Sequence, residues 1–351
     1  MRVLFLSCGP LLNAGSRYRV HQYRKYLEAQ GIRYVIKSYI PFSIYKKFYP
    51  RGLFFRLYKL IYSAYATFSR LAALRDIGKY DVIFVQKITG FRAYPFPEKL
   101  IFRKAHRLHK KVVFDFDDLI SAASFRILKN CDKVIAGNEF LKQQASVFNK
   151  NVTIIPTSID LEKYESKLQK RQIEYPVVIG WMGSPQSSYH LNILWEVFKI
   201  LASKYDILIR LVENKDKGKE IPGVKIEYEK WSLEKEVEQL HSFDIGVMPL
   251  TSDEKSRGKC GLKLLQYMAA GVPAVASPVG VNKKIISDGT NGYLAMGKDE
   301  WVKKLEKLIL NPDLRKKFAE NGQLTVEKDF SLRKNSGRLI RVLEEVYNSR
   351  P

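Results

Sequence analysis

Residues 258–280 read GKCGLKLLQYMAAGVPAVASPVG. A glycine-rich turn leads into an apolar helix, Gly271-Val272 breaks it, and a short buried strand runs into a second turn ended by Gly280. A turn of this kind presents backbone N–H groups at the start of a helix, where the helix dipole adds partial positive charge. Lys259 and Lys263 bring full positive charge to the same place. Together they suit the diphosphate of a nucleotide: the amides of Cys260, Gly261 and Leu262 would point at phosphate oxygens and Lys263 would neutralise them. Lys263, Gln266 and Ala270 share one helix face by three- and four-residue spacing, with Leu264, Leu265 and Met268 as apolar neighbours. Two lysines beside a glycine turn are also compatible with simple solvation.

Outward from this stretch, short apolar runs alternate with helical ones. In the first half the strands are expected at Val3–Ser7, Ile32–Lys37, Asp81–Gln86, Lys111–Phe116, Cys131–Ala136 and Val152–Ile155. One helix is expected from Arg17 to Gln30, ended by Gly31. The rhythm lapses over the polar stretch Pro156–Arg171 and restarts with strands at Val177–Trp181, Ile207–Val212, Val224–Tyr228, Ile245–Pro249 and Val272–Ala276. This alternation predicts an α/β fold of two doubly wound, Rossmann-like domains. The boundaries are set at residues 1–165 and 172–330, with a closing helix over 331–351 that returns to the first domain. Ligands in such sheets collect beyond the carboxyl ends of the strands, so two facing halves put the site in the crevice between them.

Three dispersed cysteines, Cys8, Cys131 and Cys260, match no metal or disulfide spacing and fit a reducing compartment. The apolar start is cut by Gly9-Pro10, too short for a targeting core, and no run approaches the roughly 20 apolar residues of a membrane span. A cytoplasmic chain is expected. The net charge of +24 is lopsided, with about +17 carried by the residues up to Glu165. No acidic residue lies between Glu28 and Asp76. Aromatic residues there (Phe42, Tyr45, Phe48, Tyr49, Tyr58, Tyr62) alternate with Lys46, Lys47, Arg51, Arg56 and Lys59. That composition suits anionic lipid headgroups, and it also suits nucleic acid. A third account is a core helix over 53–75 turning Phe54, Leu57, Ile61, Tyr65, Phe68 and Leu71 inward.

The second half resembles the nucleotide-sugar domain of GT-B glycosyltransferases of the retaining family-four group. IGWMGSP at Ile179–Pro185, FDIGVMPL at Phe243–Leu250, GLKLLQYMAAGVPAVASPVG at Gly261–Gly280 and DGTNGYL at Asp288–Leu294 carry the resemblance. The glycine turn after the first strand and VTIIPTSID at Val152–Asp160 extend it over the first half. It implies a GT-B fold, an acceptor-binding first domain and a donor-binding second one. The helix from Gly261 would then hold the donor's diphosphate and sugar. Two glutamates eight positions apart are usual in the family; Gly258 and Gln266 stand in their places here. Gln266 can still hydrogen-bond a ribose, Gly258 offers no side chain to a sugar hydroxyl, and Lys259 is the neighbour that can take over.

The family often carries a histidine at the end of a late strand of the first half; its equivalent here is Asp117, with Asp118 next, in VVFDFDDLI. They fit three roles: orienting a hydroxyl or acting as general base, joining Asp115 in a metal-binding DxD, or capping the next helix. Gly15 and Ser16 open a turn that faces donor phosphate and acceptor in the family, and Arg17 and Arg19 can fork onto phosphate or carboxylate. Gly183 opens another candidate phosphate-facing turn, Gly183-Ser184-Pro185, without the basic pair that usually follows it. The resulting expectation is a metal-independent, retaining glycosyltransferase of polysaccharide or lipopolysaccharide biosynthesis. It needs no cofactor beyond a nucleotide-diphosphate sugar as donor, acts on a glycan or lipid-linked acceptor and lies peripherally on an anionic membrane. A basic nucleic-acid-binding protein and a nucleotide-sugar epimerase are the alternatives; no nucleic-acid partner is expected.

Overall fold

The central strands of the first half carry apolar runs, VLFL, VIFV and VVF, as strands covered by helices on both faces must, whereas the edge run RYVIKS is partly exposed. In the computed structural model, which describes residues 1–40, 55–87, 95–165, 176–214 and 218–349, they form one parallel sheet. Its strands are β1 (Arg2–Ser7), β2 (Arg33–Ser38), β3 (Val82–Gln86), β4 (Lys111–Phe116), β5 (Lys133–Ala136) and β6 (Val152–Ile154), in the order β2-β1-β3-β4-β5-β6. The chain leaves β1 towards one edge and returns to its other side at β3. The carboxyl ends of β1 and β3 therefore flank the switch point at which open sheets take ligands. The flanking helices include α1 (Ala14–Arg19), α2 (Arg24–Ala29), α3 (Phe55–Ala72) and α4 (Phe96–Arg107).

A second parallel sheet follows: β7 (Val177–Met182), β8 (Ile207–Glu213), β9 (Ile226–Lys230), β10 (Ile245–Met248), β11 (Ala274–Ala276) and β12 (Tyr293–Leu294). Its order, β12-β11-β10-β7-β8-β9, places the switch point between β7 and β10. Helices α5 (Trp195–Ala202), α6 (Leu262–Ala269), α7 (Gly297–Leu310) and α8 (Pro312–Thr325) accompany it. Trp181, Phe198, Trp301 and Phe318 are buried in its core. The last helix, α9 (Leu332–Asn348), lays Leu332, Leu339, Val342, Leu343 and Val346 against Val3, Phe84 and Val113 of the first sheet. Met1–Ser158 with Leu332–Pro351 form one compact unit and Ile159–Ser331 the other. The second unit begins and ends side by side, with the Ile159 N–H donating to the Phe330 carbonyl at 2.8 Å.

Two expected elements take a different form. The single helix expected from Arg17 to Gln30 is interrupted at Val20 (φ −132°) and by a 3-10 turn over His21–Tyr23. The interruption adjoins Arg19, whose side chain is drawn inward to Asp115. The core helix is corrected more strongly. Ala66, Arg70 and Ala73 face inward, whereas Ile61, Tyr65 and Phe68 are exposed. Helical spacing predicts a stripe but not the side that is covered. The basic aromatic segment over 42–54, and the part of the polar boundary stretch over 166–171, lie outside the described residues.

Candidate functional site

In the second unit the turn before α6 depends on glycine twice over. Gly261 sits in the left-handed region (φ +71°), and a Cβ there would run into Ile285 Cδ1. Gly280 (φ +54°) lies so close to the Arg257 backbone that a Cβ would stand 2.8 Å from its carbonyl oxygen. The two glycines clamp the loops around the amino end of α6. Gly261 takes the N-cap position and supplies no side-chain cap, so the first-turn amides are directed to whatever lies beyond the helix end. Gly261→Ala is expected to lower the stability of this unit by about 2–4 kcal/mol, combining left-handed strain with overpacking. Gly289→Ala, at φ +78° in open space, carries the strain alone and should cost about 1 kcal/mol. Urea denaturation compares the two; equal midpoints would show that the α6 turn relaxes around the added methyl.

Gly183 follows β7 at the switch point. A Cβ there would meet the Trp181 ring and stand 2.9 Å from Lys263 Cε. Lys263 Nζ lies 5.2 Å from the centre of the Trp181 ring, a cation–π contact. The structure therefore brings Gly183 and Lys263 together, although 80 residues separate them in sequence. Gln266, one turn further along α6, is buried. Cys260 is buried, and Lys259, Leu262 and Lys263 are half-buried.

Sequence reading missed His190 in this group. It is buried, and its Nδ1 accepts the Thr251 backbone N–H at 3.3 Å, just beyond β10. That bond leaves the proton of the neutral ring on Nε2, an atom buried without a hydrogen-bond partner. Burial and then the charges of Lys259 and Lys263 lower the His190 pKa to about 4. The imidazole is thus a neutral donor near neutral pH, within the field of both lysines. His190 lies in polar sequence, QSSYH, and only the pairing of β7 with β10 brings it to Thr251.

The first unit gathers a second polar cluster at its own switch point. Asn13 Oδ1 caps α1 through the Ser16 N–H at 3.0 Å, and Gly15 fits where a Cβ would approach Asn13, Cys8 and Gln86. Gln86 Oε1 accepts from the Cys8 N–H at 3.1 Å and from Ser16 Oγ at 3.3 Å. Arg17 is buried, and its Nη1 reaches the Leu11 carbonyl at 3.4 Å. Arg19 is buried and engaged from three sides. Nε donates to Asp115 Oδ2 at 3.1 Å, Nη2 donates to Asp115 Oδ1, and Nη1 donates to the Ile155 carbonyl at 2.7 Å. This guanidinium ties α1 to β4 and to the end of β6.

Asp117 and Asp118 follow β4 and share one cation, Lys87, at the end of β3. Lys87 Nζ lies 2.6 Å from Asp117 Oδ1 and 2.9 Å from Asp118 Oδ2. Lys87 has φ +54°, strained backbone for a residue with a side chain and a feature that clusters at functional sites. Burial pushes the Asp117 carboxyl up, but Lys87 and Arg19 outweigh it and hold its pKa below the usual value. Lys87 was not singled out from sequence; its relation to Asp117 requires knowing that β3 and β4 are neighbours. Among the described residues no group of three or more His, Cys, Asp or Glu is placed to hold a metal ion.

Residues 223–325 match the family model described as glycosyl transferases group 1. An uncharacterized glycosyltransferase of Methanocaldococcus jannaschii, MJ1069, is 23% identical over 330 residues, covering 84% of this chain and 78% of that protein. A glycosyltransferase from Rickettsia africae has a similar structure, with a TM-score of 0.71 at 16% identity over 99% of each chain. Anabaena HepE, in a crystal structure with UDP and glucose, is similar with a TM-score of 0.66 at 14% identity. It covers 98% of this chain and 100% of its own.

Proposed function

We propose that this chain, a GT-B glycosyltransferase whose residues 223–325 belong to the glycosyl transferases group 1 family, transfers a sugar from a UDP-sugar to a hydroxyl of a lipid-linked or cell-surface glycan. The observation that carries this reading is the convergence of Gly183, His190, Lys259, Lys263 and the amino end of α6 at the switch point of the second sheet. Cleaving the sugar–oxygen bond leaves the bonding electron pair on a diphosphate that already carries two negative charges, and fixed positive charge with aimed N–H groups stabilises the charge that develops. In this reading Lys259, Lys263 and the amides of Cys260, Gly261 and Leu262 hold the diphosphate. Gln266 meets the ribose, and the Nε2–H of His190 donates to a donor oxygen. UDP is favoured as the nucleotide because Anabaena HepE binds it.

In the first unit, Gly15 and Ser16 are assigned to the donor and Arg17 to the acceptor, as the family resemblance implies. Asp117, kept ionised by Lys87, orients the accepting hydroxyl, with Asp118 sharing the same lysine. Arg19 serves the acceptor through Asp115, as a positioning residue. Retention of anomeric configuration follows from the family resemblance, and the stabilising charge comes from protein groups. A thermal-shift panel of UDP, GDP and ADP tests the donor assignment. UDP should raise the melting temperature most, because a ligand that binds the native state alone stabilises it. No shift with any of the three would remove the nucleotide-binding reading altogether.

A further inference from the structure

Helices α3 and α4 of the first unit are joined by a buried ion pair, Arg70 Nε to Glu98 Oε1 at 3.6 Å, with both side chains at most 1% exposed. Their outer faces have unlike chemistry. On α3, Leu60 is 49% exposed, Ile61 58%, Tyr65 42% and Phe68 72%. These four fall on one side of the helix by three- and four-residue spacing, opposite the buried Ala66, Arg70 and Ala73. On α4 the exposed residues are Phe96, Lys99, Arg103, Lys104, His106 and Arg107. Glu98 is the one acidic residue from Val82 to Phe114, and it is buried against Arg70. The exposed face of α4 is therefore wholly basic apart from one ring.

Phe68 lies two residues before Arg70, and Phe96 two before Glu98. The buried pair thus holds the adjoining ends of both helices, each carrying an exposed ring. Scattered apolar side chains are ordinary on a surface, but four on one helix stripe beside a basic helix are not. An apolar stripe that enters the acyl boundary, flanked by cations at headgroup level, is the arrangement of an interfacial helix. No helix among the described residues is long and apolar enough to cross a membrane.

We infer that the α3–α4 face is a docking surface for an anionic lipid bilayer. Leu60, Ile61, Tyr65 and Phe68 enter the interface, and Lys99, Arg103, Lys104 and Arg107 contact headgroup phosphates. The surface lies wholly within the first unit and does not depend on the donor assigned above. It gives the acceptor unit a reason to work on substrates presented at a membrane.

Cosedimentation of the full chain with phosphatidylcholine vesicles, with and without phosphatidylglycerol, tests this. Binding is expected with phosphatidylglycerol alone, weakening as salt rises. Ile61→Ser with Phe68→Ser should lower the partition coefficient about tenfold or more, since two large apolar groups no longer leave water. Arg103→Glu with Arg107→Glu should lower it at least as far. The substituted residues are exposed, and unchanged circular dichroism checks the fold of each variant. Phe68→Trp reports insertion directly, through quenching by brominated acyl chains. Equal binding to both vesicle types, unaltered binding of both double variants, or an unquenched Trp overturns the inference. Dissociation of a dimer by Ile61→Ser with Phe68→Ser, at unchanged vesicle binding, would instead assign the face to a second copy. Loss of oligonucleotide binding alone in the charge-reversed variant would assign it to nucleic acid.

Discussion

Lys263→Met should lower the rate of UDP release from a UDP-sugar by about 100- to 1,000-fold while leaving the melting temperature of the ligand-free protein nearly unchanged. The rate effect follows from the charge that develops when the sugar–phosphate bond breaks. A fixed ammonium in a half-buried turn stabilises the leaving diphosphate far better than mobile water does. The unchanged stability follows from packing. The Lys263 stem lies against Gly183 and its Nζ over the Trp181 ring. Methionine keeps an unbranched stem there and places a polarizable sulfur near the ring. The stabilisation of the protein by added UDP should fall as well, since a charge-assisted bond to phosphate is lost. A variant with the wild-type rate and the wild-type UDP shift would move the diphosphate away from α6. A variant that loses both activity and ligand-free stability would show that Lys263 mainly supports Trp181.

Asp117→Asn should slow transfer to an acceptor by about 100- to 10,000-fold, the range over which a positioned acid or base contributes. Acceptor-independent hydrolysis of the donor should fall much less, because Asp117 is assigned to the accepting hydroxyl. Lys87 supplies the more informative variant. The Asp117 carboxyl is held below its usual pKa chiefly because the Lys87 ammonium outweighs burial. The ionised form is therefore kept as pH falls through the ordinary carboxylate range. In Lys87→Met the burial penalty acts without that ammonium, and the pKa rises. The acid limb of the pH–rate profile should accordingly move to higher pH, with activity lost sooner on acidification. An acid limb that stays in place in Lys87→Met would mean that another group sets it. Asn at position 117 with unaltered kcat would take Asp117 out of the chemistry.

The α/β class was legible because strands covered on both faces must be nearly continuous in apolar residues. VIFVQ and KVVFDF are of that kind. KVVFDF forms its strand over the expected residues, and the other expected strands differ from the observed ones by at most two residues at an end. The two-residue β12 was not expected, since Tyr293-Leu294 is too short to show a period. The turn before α6 was legible through its glycines, because positive φ and close packing leave a mark in composition. The partners of that turn were not. His190 reaches Thr251 across 61 residues, and Lys87 reaches Asp117 across 30; each pair meets because two strand ends are neighbours in a sheet whose order reverses. Periodicity is local and carries no information on strand order. Arg19 illustrates the same gap. As an arginine near a helix start it reads as a ligand contact, but the fold places Asp115 and the Ile155 carbonyl within its reach.

The return of α9 to the first sheet has a consequence for biogenesis. Translation delivers β1 to β6 early, yet the side of that sheet lined by Val3, Phe84 and Val113 receives Leu339, Val342, Leu343 and Val346 from the last twenty residues of the sequence. The nascent chain must therefore carry an uncovered hydrophobic surface on the ribosome while some 170 intervening residues are made and fold into a sheet of their own. A chain stalled or truncated before Leu332 should expose that surface and engage chaperones, even though both sheets have already been synthesised.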